Sequence, residues 1–380
     1  MSFWGAETDL MATLTAEDRT ALTDALRRLL TDQSSEAQVR QTMETEAGYD
    51  PALWRQLAEM GVVGLVIEEA YGGAGLGPVE LELVMEEAGA ALLCSPLLSS
   101  GVLAAGLLQA LNDEEGKSRL LPAVASGELI ATAAITGPRG GWTEDDVAVR
   151  ADTDGADWTL TGEASFVTHG QVAGVLLVAA KTREGVAIFE ADPRGGGVTV
   201  TALPTFDHTL RLARIDFAEA PVRPLAHARP AWNAVEAAMD LARVALAGEQ
   251  AGGAKRVLDM TVDYAKLRIQ FGRPIGSFQA IKHMAADMLL DTESAISAAR
   301  HAARALAERA NDADAAVSLA AFACADAFTQ ATAASVQMHG GIAFTWAHPA
   351  HLYLRRARAD AQLFGAPAYH RDRFVRQLGG

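Results

Sequence analysis
The residues best suited to holding a charged ligand stand together in Arg268-Ile-Gln-Phe-Gly-Arg-Pro-Ile-Gly-Ser-Phe-Gln279. The Arg268 guanidinium offers a fixed fork of N–H donors, Gln270 offers an amide, and Gly272 lets a ligand approach the backbone closely. Such a set suits a phosphate or pyrophosphate. The same spacing also fits an ordinary turn between helices that leaves its arginine in water. A second, glycine-dense stretch, Glu68-Glu-Ala-Tyr-Gly-Gly-Ala-Gly-Leu-Gly77, could lie against a ligand. It lacks the Lys-Ser/Thr pair of a phosphate-binding P-loop and reads more simply as a connector between helices. Metal ligation is not expected, because the two cysteines, Cys94 and Cys324, each sit inside an apolar segment without ligand spacing.

Periodicity suggests the elements that position these groups. An apolar-periodic run from Trp232 to Leu267 is broken by Gly272 and Pro274, and a second helical run starts near Gln279, which places Arg268 and Gln270 at a corner between helices. Before that, residues 6 to about 127 read as helices packing on helices, with Leu10, Leu14, Leu22, Leu26, Leu29 and Leu30 at three- and four-residue steps and Trp54, Leu57 and Met60 continuing the pattern. Short alternating segments follow, among them Trp158-Thr-Leu-Thr-Gly162, Val175-Leu-Leu-Val-Ala179, Val186-Ala-Ile-Phe189 and Leu212-Ala-Arg-Ile-Asp-Phe217, separated by Gly, Asp and Pro. The alanine-rich runs after residue 231 suit close helix packing in a four-helix bundle. The expectation is an α+β chain with an N-terminal all-α domain (1–128), a middle β-sheet domain (129–228) and a C-terminal helical bundle (229–380).

Half of the 380 residues are hydrophobic, enough for a large core. A net charge of −16 and a pI near 5.0 argue against nucleic acid as a partner. No basic and apolar leader and no uninterrupted apolar run of about 18 residues appear, so neither secretion nor a membrane span is expected, and a reducing cytoplasm fits the two free cysteines.

The order of helices, strands and bundle, together with Arg268-Ile-Gln-Phe-Gly272, Phe278-Gln279 and Gln337-Met-His-Gly-Gly341, resembles the acyl-CoA dehydrogenase family nearly end to end. Tyr71-Gly-Gly73 is similar to the family's N-terminal glycine loop, Ile135-Thr-Gly-Pro138 to its Thr-Glu-Pro segment, and Phe166-Val-Thr-His-Gly170 to its flavin-facing strand. The resemblance implies an FAD held at a subunit interface in a homo- or hetero-tetramer, a dimer of dimers that acts on an acyl-CoA thioester and passes electrons to an acceptor. Thr136, Phe166 and Thr168 would face the flavin ring. Arg268, Gln270, Phe271, Gln337, Gly340 and Gly341 would serve the pyrophosphate and adenine of a neighbour's FAD. Their types suit those roles, with a forked cation, amides, an aromatic to stack and glycines for close approach. Gln337 could equally cap its helix, and Gly340-Gly341 could be a helix end.

The same resemblance exposes a gap. Dehydrogenation of a thioester needs a carboxylate to take the proton. Phe364 stands where the family's usual glutamate belongs, with Ala366 for the following threonine, and Ala242 occupies the alternative seat before Arg243. No catalytic residue is assigned. Among substitutes, Asp240 is turned roughly 200° away on the helix, and Glu249 returns to the same face but about 10 Å along the axis. Asp360, His169 and His339 are further candidates, the histidines being more often structural hydrogen-bonders. Gly137 in place of a glutamate, Phe166 where tryptophan is common, and Gly140-Gly-Trp142 without the usual Gly-Ser-Asp all depart on this same side. The expectation is therefore a partner subunit lending cofactor contacts to another chain. A relocated base and a flavin monooxygenase of the same fold are the alternatives.

Overall fold
The computed structural model describes residues 14–155 and 157–379, so Ala6 and Leu10, near the start of the helical pattern, lie outside them. The chain opens with helices α1 (Ala16–Gln33), α2 (Glu36–Met43), α3 (Pro51–Glu59) and α4 (Pro78–Ala90), then a π-helical stretch Leu97–Ala104 that runs into α5 (Ala105–Ala110), and α6 (Glu114–Ala125). Seven strands follow: β1 (Ala131–Ala134), β2 (Arg150–Asp154), β3 (Asp157–Thr168), β4 (Val175–Lys181), β5 (Val186–Ala191), β6 (Val198–Ala202) and β7 (Leu212–Pro224). Helix α7 (Trp232–Leu267), a hairpin of β8 (Ile269–Gln270) and β9 (Arg273–Pro274), and helices α8 (Gln279–Ala307), α9 (Ala313–His339), α10 (Ala350–Asp360) and α11 (Pro367–Gln377) complete it. N-terminal helices, a central mixed sheet and C-terminal helices thus succeed one another as the sequence implies. The described residues form two compact units.

The first unit takes in Thr42–Gly77 and Cys94–Ala242. Its sheet pairs β4 with β2, β2 with β3, β3 with β7, β7 with β5 and β5 back to β4, so the pairings close on themselves. Closure leaves few free edges, with β1 added on β4 and β6 on β7. β4 is apolar and buried on both faces from Val175 to Ala180, whereas β3 mixes buried and exposed positions. Leu160, Leu176, Val178, Phe189, Ile215 and Phe217 fill the interior. The glycine-dense stretch folds back on its own chain: Ala74, Gly75 and Leu76 donate to the carbonyls of Gly64, Ile67 and Leu65, and a Cβ at Gly73 would lie 2.0 Å from the Ile67 oxygen. It is a structural turn.

The second unit takes in Thr15–Gln41, Pro78–Leu93 and Arg243–Gly380. Here α4 and α7 touch backbone to backbone: a Cβ on Gly252 would fall 1.8 Å from the Glu86 oxygen, and one on Gly89 1.9 Å from the Glu249 oxygen. Glycine is required at both positions for that approach. Alanines of α7, α8 and α9, with Val244, Val317 and Cys324, make the bundle core.

Candidate functional site
The Arg268 corner is a β-hairpin, where the sequence suggested a plain turn between helices. Ile269 pairs with Pro274 and Gln270 with Arg273, while Phe271 and Gly272 cross the turn at φ 52° and 76°. Two successive positive φ values mark a type I′ turn, whose twist suits a two-residue hairpin, and glycine takes one of them without strain. The turn pushes Phe271 outward until it is 93% exposed, with its ring edge-on to Phe278 at 6.1 Å. Arg273 lies over the Phe278 ring at 4.1 Å. Arg268 is exposed, and its side chain makes no hydrogen bond or ion pair among the described residues. The Gln270 amide donates to the Ile269 carbonyl.

The second expected segment lies at the same end of the bundle. Tyr264, one turn before Arg268, stacks on His339 with centroids 4.3 Å apart. His339 ends α9 and Gly340 follows at φ 67°, so the glycine does serve as a helix end. A Cβ at Gly340 or Gly341 would meet nothing within 4 Å, and Gln337 is exposed beside them. A free arginine fork, an exposed amide and open glycines together can receive a diphosphate and an adjoining ring.

Thr136, Phe166 and Thr168 lie in the first unit and are arranged differently. Thr136 and Thr168 are buried. The Thr136 hydroxyl donates to the Gly141 carbonyl, the Gly137 N–H to the Asp146 carbonyl, and the Ser165 N–H to the Thr136 carbonyl. The β3–β7 register shifts between Ala164 and Val167, and at this bulge Phe166 has φ 56°. A bulge re-aims its side chain. The Phe166 ring, 37% exposed, comes within 3.3 Å of a Cβ position on Gly140. Residues 136–146 therefore fold onto one another and onto Phe166, an arrangement that no local sequence signal announces.

Neither base seat carries an acid. Ala242 is fully buried on α7. Phe364 is also 0% exposed, follows the end of α10 at φ 56°, and its carbonyl accepts from Arg243 Nε at 3.1 Å. A left-handed phenylalanine costs on the order of 1 kcal/mol, so its ring is held there by the packing around it. Among the substitutes, Glu249 is buried and ion-paired with Arg356, 107 residues away in sequence, a partner the sequence reading missed because no local spacing signals it. Asp360 adjoins a void of about 10 Å³ lined also by Arg243, Gln250 and His370. That admits a water at most. Asp240 is buried, and His169 Nδ1 sits 3.3 Å from Ser99 Oγ in the interior. Among the described residues no group of three or more His, Cys, Asp or Glu could hold a metal, and no helix is long and apolar enough to cross a membrane.

Family profiles agree with this architecture. The profile of the acyl-CoA dehydrogenase N-terminal domain matches residues 16–128, and that of the C-terminal domain matches residues 232–379. The chain is 33% identical over 354 residues to acyl-CoA dehydrogenase IpdE2 of Mycolicibacterium smegmatis, covering 93% of this chain and 96% of that one. Among solved structures it is similar to the ChsE4-ChsE5 complex of Mycobacterium tuberculosis, with a TM-score of 0.88, 30% identity and coverage of 98% of this chain and 99% of that chain. A variant of the Tcur3481-Tcur3483 steroid ACAD matches with a TM-score of 0.86, 29% identity and coverage of 95% and 98%. With both family domains matched in order and a relative aligned over nearly its whole length, the chain belongs to the acyl-CoA dehydrogenase family of FAD-dependent oxidoreductases.

Proposed function
We propose that this chain is the base-lacking subunit of a two-component acyl-CoA dehydrogenase, and that a related partner chain supplies the carboxylate that takes the proton from the thioester. One observation carries this reading: a fully buried Phe364 fills the usual base position. The alternative seat holds a buried alanine, and Glu249 is committed to Arg356. The solved ChsE4-ChsE5 neighbour, itself a complex of two named components, favours the same arrangement.

The fit to FAD divides by region. Arg268, Gln270, Phe271, Gln337, Gly340 and Gly341 would hold the pyrophosphate and adenine of an FAD whose ring belongs to the partner, with the guanidinium neutralising phosphate charge and Phe271 stacking. Thr136, Phe166 and Thr168 would face a flavin ring on this chain's own side, where the Thr136 hydroxyl is engaged by the Gly141 carbonyl, Thr168 is buried and Phe166 is 37% exposed. When bound, FAD supplies the hydride acceptor of the reaction, and an electron acceptor must then reoxidise it. The residues of this chain position that group and exclude water.

The test is to purify the chain alone and together with each acyl-CoA dehydrogenase-like chain encoded beside it. Flavin retention and acyl-CoA turnover are expected from one mixed pair and not from the lone chain. Full flavin occupancy with turnover by the chain on its own would reject the proposal.

A further inference from the structure
We infer that His339, His348 and His351 form a proton-sensitive latch on residues 340–347, the loop that begins with Gly340 and Gly341. The latch deepens the partner-subunit reading in its consequence alone; the geometry belongs to this chain by itself. His339 is 4% exposed at the end of α9, and its ring lies 4.4 Å from that of His348, so the two imidazoles close the loop at its two ends. Arg355 of α10 also lies over the Trp346 ring at 5.1 Å. Ala343 is buried, but Phe344 is 80% and Trp346 54% exposed, and the loop's backbone bonds run within it, from Thr345 to Ile342 and from His348 to Thr345.

Hydrogen bonds fix where each proton sits. The Nδ1–H of His339 donates to the Ser335 carbonyl at 2.8 Å, which leaves Nε2 the bare nitrogen, buried and without a partner. A proton added there would find no acceptor and would face His348. His348 Nδ1 accepts the N–H of Ala350 at 3.2 Å, and protonation would break that bond at the first turn of α10. His351 stands edge-on to Trp346 at 4.7 Å, and a backbone hydrogen bond with His348 favours its charged form against the larger opposing effect of burial. An added proton thus goes unmet at His339 and removes a contact at His348, at a cost that burial makes larger.

The surrounding charges are mixed. Glu36 and Arg40 face His348 and His351 from α2, Arg355 faces His351 from α10, and Tyr264 of α7 covers His339. Burial pushes all three imidazoles below the ordinary histidine value, and for His348 the neighbouring His339 pushes further. Because the closed-loop pKa values lie below those of the released loop, near 6.5, the latch is fully closed above that pH and weakens as pH falls below it. Each histidine contributes up to about tenfold in the opening equilibrium per pH unit.

Hydrogen exchange on the purified chain, normalised to intrinsic rates, reads this directly. Between pH 7.5 and 5.5 protection of residues 340–347 is expected to fall by at least about tenfold, while β4 and β5 stay unchanged. His339→Phe and His348→Phe keep a ring in place without a proton site and are expected to flatten the response. Should a variant fail to fold, imidazole C–H titration of the wild-type chain decides, since three resonances are expected to titrate below the ordinary histidine value near 6.5. Unchanged protection in the wild type, an undiminished response in folded Phe variants, or three ordinary titrations would overturn the latch. Each of these outcomes is independent of whether a partner chain is found.

Discussion

The corner made by residues 268–273 and 337–341 of the second unit contrasts with two filled positions, residues 136–146 with Phe166 in the first unit and Phe364 in the second, which carry similar residue types and use them in the opposite way. At the corner, Phe271 is 93% exposed and the glycines open onto space. At the filled positions Phe364 is wholly buried and, in the other unit, Thr136 is bonded to its own loop. An aromatic left in water gains nothing for the chain that carries it, whereas a buried one stabilises that chain by roughly 2 kcal/mol or more. The fold alone accounts for the second region, and the first is the one the proposed partner would explain. The proposal stands or falls on that contrast.

The largest expected effect comes from trying to undo the second region. Phe364→Glu restores the acid in name, but it removes a core ring and puts a carboxylate into an interior where the nearest charge, Arg243, already donates to the backbone carbonyl of residue 364. Destabilisation of about 4 kcal/mol is expected from these two causes together. A thermal melt should show it, and a turnover assay of the lone variant should stay blank. A stable variant with acyl-CoA turnover would mean the site lacked a single residue and was otherwise intact.

A smaller change sharpens the first region. Arg268→Ala removes a charge-assisted fork worth about 1.5–3 kcal/mol, so flavin affinity of the assembled pair should weaken by roughly 10- to 100-fold. The melting temperature of the lone chain should hardly move, because Arg268 is exposed and its side chain has no partner among the described residues. Flavin binding by a mixed pair that is indifferent to this substitution would remove the corner from the cofactor site. A stability loss in the lone chain would make it a structural turn.

Much of this contrast was legible in the sequence and some was not, for physical reasons. Helical periodicity placed α7 over Trp232–Leu267 and the start of α8 near Gln279, where the structure has them, since long apolar repeats dominate local conformation. Gly272 and Pro274 announced a break. They did not announce a hairpin, because the positive φ of Phe271 is imposed by turn geometry that its side chain does not favour. The missing acid at Phe364 could be read by alignment with the family motif, but its full burial depends on packing that local spacing does not encode. The pairing of Glu249 with Arg356 and the tilted contact of His339 with His348 join residues across helices or across a loop, where one-dimensional spacing carries no signal.

The smallest predicted effect bears on whether the filled side is closed by one loop or lost throughout. Asp146 holds residues 141–146 together: its carboxylate accepts from the Thr143 N–H at 3.1 Å and the Thr143 hydroxyl at 2.6 Å. The same carboxylate lies 2.2 Å from where a Cβ on Gly141 would be. Asp146→Ala removes this cap and should cost about 1 kcal/mol, a shift of a few degrees at most in a melt. It also frees the Gly141 carbonyl to swing away from Thr136. If loop closure were all that excludes a flavin ring, the variant chain alone would take up FAD and turn yellow. The expected result is no uptake, because Thr168 remains buried in β3, whose backbone pairs with β7 without any help from Asp146.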